Sequence, residues 1–120
     1  MSNAIVWCDI PAKDLDRAIK FYSDVLGKKV SKETFGEMSF GLLPHVGESV
    51  GGCLVVSDEA KPSADGPMIY LNCGGRLDAA IATVGKNGGK ILQPKHQISP
   101  HGFRPVILDS EGNRIALHSK

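Results

Sequence analysis

The chain carries its own plan twice. Leu15-Asp16-Arg17-Ala18-Ile19 stands beside Leu77-Asp78-Ala79-Ala80-Ile81, and the same offset sets Tyr22 on Val84, Gly27 on Gly89, Lys28 on Lys90 and Val30 on Leu92. Self-similarity over half a chain implies a duplicated supersecondary unit, whose copies together bury faces that neither buries alone. Each copy reads as a helix that ends at glycine and passes into a strand. In the first, Asp14 is placed to cap and Asp16 sits near the positive helix end. Leu15, Ala18, Ile19, Tyr22 and Leu26 make one apolar stripe, closed by Gly27. The second helix repeats the stripe as Leu77, Ala80, Ile81 and Val84 and closes at Gly88-Gly89, but Gly74-Gly75-Arg76 offers no clean cap.

Strand patterns flank both helices. Val6, Cys8 and Ile10 alternate with Trp7 and Asp9 before the first; Ile69, Leu71 and Cys73 alternate with Met68, Tyr70 and Asn72 before the second. Period two predicts one face packed on a helix and another carrying bulky and polar groups. Further strands are expected at Ser39–Leu43, Val50–Val56, Gly102–Leu108 and Arg114–His118. Asp109-Ser110-Glu111-Gly112-Asn113 reads as a hairpin turn with Gly112 and Asn113 suited to positive φ. His45 and His96 read as loop residues and His101 as the approach to a strand. The direction of Arg104 stays open because Pro105 obscures the register. One domain over 1–120 follows: module one about 1–56, a connector 57–67 rich in Asp, Ala, Pro, Ser and Gly, and module two about 68–120.

At 120 residues the chain can bury one core without disulfide or metal staples. A net charge of +1 excludes a basic footprint for nucleic acid, and no apolar run is long enough for a bilayer. The opening Met1-Ser2-Asn3-Ala4 lacks the pattern of a secretory leader, and Cys8, Cys53 and Cys73, dispersed in apolar runs, read as buried thiols of a reducing cytoplasm.

The segment Ile10-Pro11-Ala12-Lys13-Asp14-Leu15-Asp16-Arg17-Ala18-Ile19-Lys20-Phe21-Tyr22, continued by Leu26-Gly27, is similar to the opening strand and "D-L-x-x-A-x-x-F-Y…L-G" helix of the vicinal-oxygen-chelate superfamily. Leu108-Asp109-Ser110-Glu111-Gly112-Asn113-Arg114-Ile115-Ala116-Leu117 resembles its closing "D-P-x-G-N-x-I-E-L" hairpin. With the duplication, the likeness spans essentially the whole chain. It implies an α+β fold of two tandem βαβββ modules forming a curled mixed sheet around a central cleft. In glyoxalase I and the extradiol dioxygenases that cleft holds a divalent metal through His, Gln or Glu, which acts as a Lewis acid on vicinal oxygens. Bleomycin-resistance relatives use the cleft to sequester a drug.

Carried onto this chain, the ligand positions fall on Trp7, Met68, Ala116 and Cys53. None offers imidazole nitrogen or carboxylate oxygen, so no metal cofactor is expected. The resemblance places Trp7, Asp9, Met68, Tyr70, Asn72, Ala116 and His118 on the inward face, with Arg104 a candidate for an anionic substrate group. His118 and Asp9 are the candidate acid–base residues. Each also has a plainer reading. Trp7 and Met68 suit core filling, Tyr70 and Asn72 cross-sheet hydrogen bonding, and Asp9 an exposed edge. Three functions stay open: a metal-independent binder of a small, partly apolar molecule, an unconventional lyase or isomerase, and a ligand-sensing interaction module. Open sheet edges and the family's habit of pairing modules add a homodimer to these expectations.

Overall fold

The structure, a computed structural model, describes residues 3–100 and 102–120. The first copy of the repeat runs β1 (Trp7–Pro11), α1 (Leu15–Leu26), β2 (Ser31–Phe35), β3 (Met38–Leu42) and β4 (Gly51–Val55). The second runs β5 (Ile69–Asn72), α2 (Leu77–Val84), β6 (Lys90–Ser99), β7 (Gly102–Leu108) and β8 (Arg114–His118). Each copy closes its own four-stranded mixed sheet. The orders are β1-β4-β3-β2 and β5-β8-β7-β6, with β1 parallel to β4 and β5 parallel to β8. The expected α+β fold of two βαβββ modules is present, as two separately hydrogen-bonded sheets.

Local chemistry explains the helices. Asp14 is extended and its carboxylate accepts the Arg17 N–H at 3.1 Å, satisfying a donor that the first turn leaves orphaned. Gly27 ends α1 at φ 68, a left-handed conformation that a Cβ would strain. The buried residues of α1 are Ala18, Phe21, Tyr22 and Val25. The stripe is therefore centred on Phe21 and Val25 rather than on Leu15, Ile19 and Leu26, which flank the core half-buried. Helix α2 stops at Val84 and reaches Gly88 through a 3-10 turn, Gly85–Asn87. Its first residue follows Arg76, whose side chain does not cap α2. The guanidinium crosses instead to the last carbonyls of α1, donating to Val25 and, at 3.5 Å, to Asp24.

One core joins both copies. Ile10, Val30 and Leu54 from the first module meet Leu71, Ile107, Ile115 and Leu117 from the second around the two helices. The closing hairpin turn fastens the modules together. Asp109 accepts Tyr22 Oη at 2.5 Å and the N–H groups of Glu111, Gly112 and Asn113 at 2.8–2.9 Å. Asn113 Nδ2 donates to the Pro11 carbonyl at 2.7 Å. The connector is tied to the same turn, through the Ser63 N–H on Asn113 Oδ1 and the Arg114 N–H on the Ser63 carbonyl.

Several expectations change. Val6 precedes β1 and is exposed, and Met68 likewise precedes β5. In the hairpin turn only Gly112 has positive φ; Asn113 contributes its side chain. His96 lies in β6, not in a loop. The β6–β7 register runs Gln93↔Val106 and then His96↔Arg104, so Pro94 and Lys95 together oppose Pro105. That is a bulge, and it falls where two prolines lack the N–H that a regular ladder needs. His101 lies outside the described residues. Among those described, no helix is long and apolar enough to cross a membrane.

Candidate functional site

With the helices covering one face of each sheet, the opposite faces are left open, and the register decides which side chains stand there. Directly paired residues share a face. On the first sheet Asp9 pairs with Cys53, and Trp7 with Gly51. Trp7 Nε1 donates to Asp9 Oδ1 at 2.9 Å, and Cys53 Sγ donates to the same oxygen at 3.3 Å. Burial, then the hydrogen bond and charge of Asp9, push the Cys53 thiol up to about 11, so it stays protonated and serves as a donor. The Trp7 ring lies on Gly51, where a Cβ would come within 2.9 Å of Cζ3. Trp7 is nonetheless 45% exposed.

On the second sheet Tyr70 pairs with Ala116 and Asn72 with His118. Val106 also faces Ala116, so Arg104, two residues earlier on β7, stands on the same open side, while Pro105 and Ile107 turn inward. This settles the direction of Arg104. Its Nε donates to His96 Nε2 at 3.2 Å, and its Nη1 donates to Tyr70 Oη. The guanidinium carbon lies 5.5 Å from the Tyr70 ring centroid, within cation–π range. Tyr70 in turn meets His118 edge to face, with centroids 6.3 Å apart. His96 Nδ1 lies 2.9 Å from the Pro94 carbonyl, which has no proton to give, so Nδ1 carries the proton and Nε2 accepts. Val106 and Ala116, both buried, make an apolar floor. Asn72 spends its side-chain oxygen on the Gly74 N–H at 2.9 Å.

Two recesses adjoin this face. One of about 520 Å³ is lined by Tyr70, Asn72, Gly74, Gly75, His118 and Lys120. Another of about 610 Å³ runs from Cys8 and Gly52 past His45 and Val50 to Tyr70 and Asn72. Tyr70 and Asn72 line both; Trp7 and Asp9 line neither. Within one chain, Trp7, Asp9 and Cys53 form one group, and Tyr70, Arg104, His96 and His118 another. His96 is the member that the sequence did not single out. Its only signal was the pair of prolines that creates the bulge.

The positions that would hold a divalent ion have other occupations. Ala116 is fully buried with no donor atom, Met68 is a half-buried thioether before β5, the Trp7 indole only donates, and the Cys53 thiol is protonated. Among the described residues no three His, Cys, Asp or Glu side chains converge. This donor set does not fit a hard or borderline divalent ion.

The sequence profile of the Glyoxalase/Bleomycin resistance protein/Dioxygenase superfamily matches residues 4–117. A glyoxylase-like domain-containing protein of Didymella fabae is 34% identical over 114 residues, covering 91% of this chain and 88% of its own. A glyoxalase/bleomycin resistance protein from Albidiferax ferrireducens superposes with a TM-score of 0.73 over 98% of this chain and 99% of that one, at 16% identity. The genomically encoded fosfomycin resistance protein FosX of Listeria monocytogenes does so with a TM-score of 0.69 over 100% and 93%, at 14% identity. The two structural likenesses speak for the fold, and the profile and the fungal relative for the family: the chain belongs to the glyoxalase/bleomycin resistance protein/dioxygenase superfamily.

Proposed function

We propose that this protein binds a small, partly apolar molecule on its open sheet faces, and that it does so without a resident divalent ion. The observation that carries the reading is the second face: a few fixed polar groups over an apolar floor of Val106 and Ala116, beside a recess of about 520 Å³. Such a mixture suits recognition of a small molecule. The protein acts on this reading as a cytoplasmic homodimer with no nucleic-acid or membrane partner. The test is a thermal-shift screen of aromatic and amphiphilic compounds on untagged protein whose metal content is measured in parallel. Ligand at one hundred times Kd stabilises by about 2.7 kcal/mol, a shift of roughly 10 °C for a domain near this size. Stabilisation at substoichiometric metal is expected. Stoichiometric metal, with ligand shifts abolished by chelation, would overturn the metal-free reading.

A second reading, acid–base catalysis, is favoured by Asp9. Trp7 and Cys53 both bond Oδ1, leaving Oδ2 without a protein donor among the described residues. On this reading Asp9→Asn abolishes turnover while ligand-induced stabilisation survives.

A further inference from the structure

We infer that Arg104 is the anchor of a carboxylate subsite, so that the small molecule taken by this face bears a planar anion next to an apolar or aromatic body. The inference rests on the small-molecule reading above and names its ligand class. Among the described residues Arg104 is a half-buried cation without a carboxylate partner: no salt bridge reaches it, and neither β5, β6, β7 nor β8 contains an Asp or Glu. The other cations of this sheet are engaged elsewhere where their contacts are defined. Lys95 pairs with Asp78 of α2 at 2.9 Å, and Arg114 Nε donates to the Ala64 carbonyl.

The guanidinium is also held in place. His96 fixes Nε, Tyr70 takes one N–H of Nη1 with its ring centroid 5.5 Å from the guanidinium carbon, and the Pro94 carbonyl in the bulge fixes the His96 tautomer. Both partners are neutral acceptors, so they orient the charge without cancelling it. Nη2 has no protein acceptor among the described residues. It and the second N–H of Nη1 are the donors left to meet a carboxylate. Burial without a counter-ion is unfavourable for the apo protein and is relieved when an anion arrives.

Sodium benzoate and benzamide, alike in shape and different in charge, are the probes. Each is titrated into the full chain while the ¹H–¹⁵N spectrum, arginine Nε–H signals included, is followed. Benzoate is expected to move the Arg104 Nε–H saturably and to bind roughly tenfold or more tightly than benzamide. Arg104→Gln is expected to erase that preference, and Tyr70→Phe to weaken it. Equal binding of the two probes by wild-type protein overturns the inference, whether or not the variant folds. So does a benzoate preference that survives Arg104→Gln in a well-dispersed spectrum, which would give the anion to Lys120 or His118. If neither probe binds, the carboxylate subsite falls. The small-molecule reading falls with it only if the neutral compounds of the thermal-shift screen also fail.

Discussion

Glu111 shows how much one side chain can do for a two-module chain. It sits in the turn before β8, yet its carboxylate accepts the backbone N–H groups of Lys13 and Asp14 at 2.8 Å and Arg17 Nε at 2.7 Å, all at the start of α1. Burial pushes its carboxyl upward, but Arg17, those N–H groups and the Ser110 hydroxyl outweigh burial and hold it at about 2. The ordinary value is 4.5. A folded value below the unfolded one means stability that is fully present above about pH 4.5 and lost as pH falls through about 2. The shift corresponds to roughly 3 kcal/mol at neutral pH. Glu111→Gln should therefore lower urea stability at pH 7 by about 2–3 kcal/mol, with the gap to wild type closing as the titrations are repeated towards pH 2. Parallel pH profiles for the two proteins would show that the charge is not what matters. The sequence marked Glu111 only as a turn residue, because partners so far away in the chain leave no local trace. Face assignments for Trp7, Asp9, Tyr70, Asn72 and His118 were readable, since period two holds along short, regular strands. Arg104 and His96 were not. Alternation along β7 does carry Arg104 to the face of Val106, but Pro105 hid that the strand continues through it, and the extra residue at Pro94-Lys95 breaks the count to His96 along β6.

At the scale of elements, each helix answers to a different part of the sequence. Asp14 and Gly27 bracket α1 with purely local chemistry, and both were legible. The start of α2 was not, because Arg76 serves the other helix. Its guanidinium meets the negative end of α1 and two carbonyls that have no intrahelical partner. It also lies where a Cβ on Gly27 would go, 2.7 Å from Nε. Arg76→Met keeps the stem and removes the bonds, and should destabilise by about 1–2 kcal/mol in chemical denaturation. Gly27→Ala should cost more in wild type than in Arg76→Met, because only wild type adds the clash to the strain of positive φ. A double-mutant cycle reads that difference as coupling. Additive costs would mean that Arg76 moves aside freely and that the helix ends are not joined through it. The extents of β2 and β6 belong to the same scale. Both follow a glycine as the repeat requires, but the five residues of β2 are nearly all exposed and β6 is broken by its bulge, so neither shows clean alternation.

At the scale of the molecule, the two open faces differ in kind. The first carries Asp9 and Glu33 among Trp7, Phe35, Met38 and Phe40; the second carries Arg104, His96 and His118 around Tyr70. Phe35 is 83% and Met38 60% exposed, more apolar surface than a lone sheet face usually leaves in water. A face-to-face arrangement of the proposed homodimer would set the acidic, apolar face of one copy over the basic face of the other, twice, about a two-fold axis. Acid–base complementarity then contributes to association and is screened by salt, with a Debye length near 10 Å at 0.1 M falling to about 3 Å at 1 M. Sedimentation equilibrium should show a monomer–dimer balance whose Kd rises with salt and rises again in Glu33→Lys. A monomer at every concentration would remove the dimer. A dimer indifferent to both salt and Glu33→Lys would pair through the unpaired edge strands instead. The arrangement also makes an optical claim, because Trp7 is the only tryptophan in the chain. In one copy it lines neither recess beside Tyr70; across a face-to-face dimer it would stand over the partner's second face. Benzoate should then change Trp7 emission at dimeric concentrations and lose that effect on dilution to monomer. Emission that follows benzoate equally in both states would place the Trp7 response within a single chain.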